Sequence, residues 1–154
     1  MATFYANQVV PPAFDQIDTT QQFDFGYRFE SADKAYVYVK GVASGAAGAW
    51  VTFNPSTGVT ALLTANAQGK VGIMIAALDA TTKFGWIQVK GQNDIAKSDT
   101  TAANKPLYID GTDGRVDDAV VAGDLVANAF SLAADSSNVL SVYINEPFVT
   151  DTLS

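Results

Sequence analysis

The chain has 154 residues, of which 48% are apolar and only 16% charged, and nine basic against sixteen acidic side chains give a formal charge of −7. A chain of this length forms one domain that buries roughly 68–70% of its unfolded surface, while the acid excess and the scattered single Lys and Arg residues exclude a phosphate-backbone groove, so no nucleic-acid partner is expected. With no histidine and no cysteine, the sequence offers no disulfide framework, no thiolate and no Ser-His triad.

Met1 to Asn7 carries neither a basic segment nor a long apolar run, and no window approaches the roughly 18 apolar residues of a membrane span. Synthesis in the cytoplasm and no membrane partner are the expectation. Residues 1–29 read as an extended arm, because Pro11-Pro12 and several Gln and Thr break any apolar period. Its aromatics are too many for a solvated tail, so the arm is expected to dock, either on a neighbouring subunit or along its own domain. Phe4, Tyr5, Pro11, Pro12, Phe14, Phe23 and Phe25 are the candidate contacts.

Residues 30–154 read as a compact β-domain. Period-two alternation begins at Ala35, with Tyr36, Tyr38 and Lys40 on one face of a strand and Val37 and Val39 on the other. A flexible Gly/Ala loop at 41–48 leads to a second strand at 49–53. Asn54-Pro55-Ser56-Thr57-Gly58 is a turn signal, since Pro presets φ and Gly accepts positive φ, and 59–63 is a third short strand.

The apolar run at 71–76 suits a strand buried on both faces, and its expected partner is 83–90, where Phe84, Trp86 and Gln88 alternate with Gly85, Ile87 and Val89. Gly85 leaves space for another backbone or a ring to approach. Lys105 to Asp110 and Arg115 to Asp117 form two strands joined by an Asp-Gly turn. The stretch 119–134 reads as mostly strand and loop, because Gly123 interrupts a helical reading. A final strand at 139–144 is expected to end at Pro147. Strands about ten residues apart, separated by Gly, Asn, Asp and Pro, predict an all-β, antiparallel barrel or sandwich.

Ser44 does not stand in a nucleophile elbow, and neither a dinucleotide nor a P-loop glycine pattern occurs. Two glutamates and fourteen aspartates, the latter mainly in turns, do not suggest a glycosidase acid pair. The densest acidic patch, Asp110, Asp113, Asp117 and Asp118, fails the EF-hand spacing and reads as a solvated turn. Trp50, Trp86 and the tyrosines alternate within strands, which favours core or subunit packing over a sugar-stacking platform. No catalytic residue, metal or cofactor is expected.

Phe84-Gly85-Trp86-Ile87-Gln88-Val89-Lys90-Gly91 resembles the "YGWVQV.G" segment of small decoration, or cement, proteins on the capsids of tailed bacteriophages. Those proteins follow it with "G.PLY...G.V", similar to Lys105-Pro106-Leu107-Tyr108-Ile109 and Gly114-Arg115-Val116 here, then "AGD" at Ala122-Gly123-Asp124 and a closing "V.I..PF" at Val142 to Phe148. The resemblance covers about half of the chain, from Val71 to Phe148. It implies a structural virion protein on the outside of a phage head, commonly a homotrimer, that clamps neighbouring major capsid subunits. The alternative is a carbohydrate-binding or fibre-like adhesion module displaying Tyr36, Tyr38 or Trp86.

Overall fold

The computed structural model describes residues 12–152. Ten strands, and no helix among the described residues, make up the chain: β1 (Arg28–Ser31), β2 (Lys34–Lys40), β3 (Trp50–Phe53), β4 (Thr60–Leu62), β5 (Gly69–Met74), β6 (Phe84–Lys97), β7 (Pro106–Ile109), β8 (Val116–Asp117), β9 (Leu125–Ser131) and β10 (Val139–Val149). The fold is all-β. All strand pairings are antiparallel, in one connected sheet of order β1-β2-β6-β5-β10-β9-β7-β8, with β3 on β5, β4 on β3, and a further β6–β10 pairing.

Strand alternation sends side chains from this sheet into two separate cores. Trp50, Val71 and Ile73 point into the larger one with Ala96, Leu107, Ile109, Val116, Val126, Leu140, Val142 and Ile144. Their neighbours Val51 and Met74 point the other way, to meet Val37, Val39, Leu78, Ile87 and Val89. β3 and β5 therefore serve both cores, which is why 71–76 reads as continuously apolar. Gly72 belongs to this arrangement: a Cβ there would sit 2.6 Å from Ile87 Cδ1.

The expected hairpins form. Phe53 pairs with Thr60 across the Asn54–Gly58 turn, whose Asn54 Oδ1 accepts from Ser56 N at 2.9 Å. Tyr108 pairs with Asp117 across the Asp-Gly turn, and β5 pairs with β6 through Ile73–Gln88 and Met74–Ile87. Within 119–134 the regular element is β9, a strand.

Four expectations are corrected. The Gly/Ala segment 41–48 is pinned rather than flexible: Gly41 N donates to Lys83 O, Val42 N to Leu78 O, Gly48 N to Met74 O, and Lys97 N to Gly48 O. Close backbone approach, not mobility, explains its glycines. β6 also runs on past Lys90 to Lys97, because Gly91 (φ 98°) lets the strand bend and buried Gln88 bonds the Lys90 and Gln92 carbonyls across that bend. β10 continues through Pro147, which lies where the register shifts between Ile144 and Phe148, a position where a proline's missing donor is tolerated. Finally, residues inside the expected arm enter the sheet: Arg28 and Phe29 belong to β1, which pairs with β2 across a tight turn at Ala32-Asp33.

Candidate functional site

In β2 and β6 the residues facing away from the smaller core are unusually aromatic. Tyr38 lies opposite Trp86 and Tyr36 opposite Gln88, which leaves a broad ring surface that water would solvate poorly. Residues 12–27 run across it as a strap. Phe14 stacks on Tyr36 with centroids 3.8 Å apart and meets Trp86 edge-on at 5.4 Å. Phe23 meets Tyr38 and Trp86, both at 5.2 Å, and Phe25 stacks on Phe84 at 6.0 Å.

Asp18 holds the strap in place. Its backbone exchanges two hydrogen bonds with Phe84, at 2.8 and 2.9 Å, so it adds one antiparallel bridge beside the start of β6. Its carboxylate is turned inward, with the residue 8% exposed. Oδ2 accepts from the Tyr38 hydroxyl at 2.7 Å and Oδ1 from Gln16 Nε2 at 3.1 Å. The Tyr38 oxygen in turn accepts from Gln22 N at 3.2 Å. Burial pushes the Tyr38 phenol up to about 12, and the hydrogen bond and charge of Asp18 act in the same direction. Gly85 lets the strap lie close, since a Cβ there would stand 3.1 Å from the Gln16 carbonyl oxygen.

Of the candidate contacts, Phe14, Phe23 and Phe25 thus face their own domain. Pro12 lines a hollow of about 260 Å³ together with Ala13, Gln16, Asp18, Gln22, Phe23 and Trp86. Phe4, Tyr5 and Pro11 lie outside the described residues. The rings named for glycan stacking have their faces occupied: Tyr38 and Trp86 are 0% and 2% exposed, and Phe14 covers Tyr36.

Three of the four carboxylates in the acidic patch hold backbone amides, two of them within their own turns. Asp110 Oδ2 accepts from Thr112 N, Asp117 Oδ1 from Ala119 N, and Asp118 Oδ2 from Ala102 N. Burial raises the Asp117 carboxyl above its ordinary range, helped by Asp110 and Asp118 and opposed by the Ala119 bond. Among the described residues no group of three or more His, Cys, Asp or Glu side chains is set to hold a metal ion.

Reasoning from sequence missed Asp18. It stands in a Gln/Thr-rich tract with no periodicity, and its partner Tyr38 lies twenty residues on, so no local signal marks it. The apolar residues Val120 and Val121, 76% and 44% exposed between β8 and β9, were also unmarked. In comparisons with family models, curated proteins and solved structures, nothing matches this chain.

Proposed function

We propose that this chain is a structural virion protein that binds the outside of a tailed-phage head and stabilises it by clamping neighbouring major capsid subunits, as a homotrimer. The observation that carries this reading is where the ordered motifs fall. They occupy β6, β7, β8, the turn before β9, and β10, which follow one another along the chain. Leu107, Ile109, Val116, Val142 and Ile144 from the later motifs meet in the larger core, while Ile87 and Val89 of the first motif lie in the smaller one, so the resemblance runs through both cores of one connected sheet. The low charge content and the exposed Val120 and Val121 add apolar surface that a lattice contact would cover.

The mechanism is linkage. A protein that binds the assembled shell and not its free subunits stabilises the shell by RT ln(1 + [L]/Kd) per site, and many sites act together. Residues 12–27 complete the folded domain, which leaves Phe4, Tyr5 and Pro11 as the arm's candidate anchors to a neighbour.

Co-sedimentation with purified, expanded phage heads lacking any decoration protein tests this reading. Saturable binding to expanded heads, with weaker binding after residues 1–11 are deleted, is the expected result. If the full chain stays in the supernatant with every head tested while binding saturably on a glycan array, the adhesion-module reading replaces this one.

A further inference from the structure

The hollow beneath the strap is rich in acceptors. Asp18 brings a carboxylate that is almost wholly buried, yet no Lys or Arg lies within 4.0 Å of it among the described residues. A buried carboxylate without a countercharge is costly unless hydrogen bonds compensate. Asp18 receives two side-chain bonds, from Gln16 and Tyr38, and a carboxylate has about four acceptor sites. At least one site on each oxygen is therefore left over.

Two neighbouring amides, both on exposed residues, add acceptors. Gln16 uses its Nε2 on Asp18 and Gln22 uses its Nε2 on the Thr20 carbonyl, so the described hydrogen bonds leave both Oε1 atoms without a donor. Gln16, Asp18 and Gln22 all line the hollow, whose remaining wall includes Phe23 and Trp86. The site thus presents spare acceptors, a carboxylate and the half-buried ring of Phe23. Neither an anion nor an apolar side chain satisfies that set. A planar cation with several fixed donors does, because it can bond both carboxylate oxygens at once while lying against a ring.

The geometry points to this hollow as a receptor for the guanidinium of an arginine side chain presented by a partner protein. The guanidinium forks onto Asp18 Oδ1 and Oδ2, its outer N–H groups reach Gln16 and Gln22 Oε1, and its plane lies along the half-buried ring of Phe23. The site stands whether or not that partner is a capsid subunit. A volume of about 260 Å³ admits one such head group and its terminal methylenes.

The test is a titration of the full chain with N-acetyl-arginine amide, followed by two-dimensional NMR of the Trp86 indole N–H and the Gln16 and Gln22 side-chain amides. Saturable shifts centred on these three groups are expected. The neutral isostere N-acetyl-citrulline amide and the Asp18→Asn variant should each bind at least about tenfold more weakly, equivalent to 1.4 kcal/mol. Absence of saturable shifts, equal binding of the citrulline probe, or unchanged affinity in Asp18→Asn overturns the assignment. Should Asp18→Asn fail to fold, Gln22→Ala serves instead: its side chain is exposed, a several-fold loss of affinity is expected, and no loss overturns the proposal.

Discussion

The Tyr38 hydroxyl donates to Asp18 Oδ2 at 2.7 Å, tying the strap to the second strand of the domain across twenty residues of chain. The bond lies where both partners are shielded from water, so it is worth more than a surface contact of the same length. It also fixes the inward carboxylate that shapes the hollow.

Replacing Tyr38 by Phe removes that donor and keeps the ring. A buried acceptor stripped of a partner costs about 1–3 kcal/mol, so the variant should unfold at lower urea with an unchanged slope. Hydrogen exchange gives the sharper reading. The Asp18 and Phe84 amides, which bond each other's carbonyls, should exchange faster in the variant, while the Ile144 amide keeps its protection until global unfolding. Equal loss at all three would mean that the bond supports the whole fold and not the strap.

Alkaline pH should act on the same contact. The folded protein raises the Tyr38 pKa from 10.0 to about 12, chiefly through burial, so the folded state holds this proton more tightly than the unfolded chain. The resulting stability is fully present below about pH 10 and is lost as pH rises through about 12. Ionised Tyr38 would also face the Asp18 carboxylate. Tyr36, raised by burial and by Asp33, adds to the same fall. Equilibrium unfolding measured at steps across this window should show stability falling, and falling less steeply in Tyr38→Phe. Identical slopes would rule out Tyr38 as the titrating group.

Much of the sheet was legible because its signals are local. The alternation at Phe84 to Val89, the Pro-Ser-Thr-Gly turn after Asn54 and the Asp-Gly turn after Ile109 each dictate an element through the residues they contain. Elements set by distant partners were not legible. β1 has only Phe29 as an apolar residue and forms because Tyr36 and Val37 lie alongside it. The tail of β6 opens on three polar residues, Gln92, Asn93 and Asp94, and is drawn into the sheet by β10. Strand order depends on pairings such as β5 with β10, far apart in sequence, and so does the site: Asp18 acquires its role from Tyr38 and Phe84, which its own neighbours do not announce.

The Gly/Ala segment supplies a third prediction, because composition and structure disagree there about what its glycines do. Gly48 has φ 84°, and a Cβ would stand 2.0 Å from the Ile95 carbonyl oxygen. A left-handed conformation strains any non-glycine residue by about 1–3 kcal/mol, and here the clashing atom is backbone that cannot rotate aside. Gly48→Ala should therefore lose more than about 2 kcal/mol in urea unfolding. Ala43→Gly, at an exposed position in the same segment, should change stability by under about 1 kcal/mol. A flexible linker would tolerate both changes equally.

A last comparison separates apolar burial from surface charge as the source of stability. Arg28 bridges Glu30 at 3.0 Å and also Glu146, joining β1 to β10, and Glu146 does most to raise the guanidinium's pKa. All three side chains are 36–60% exposed, where water and salt screen the attraction, so Arg28→Gln should cost less than about 1 kcal/mol and less still at high salt. Ile73 is fully buried in the larger core beside Trp50 and Val71. Truncating it to Ala deletes packed methyl groups and leaves a cavity, at a cost of about 2–5 kcal/mol that salt should not reduce. Parallel urea titrations of both variants at low and high salt provide the check. An Arg28→Gln loss as large as that of Ile73→Ala would show that the β1–β10 bridge, and not the core, holds the sheet closed.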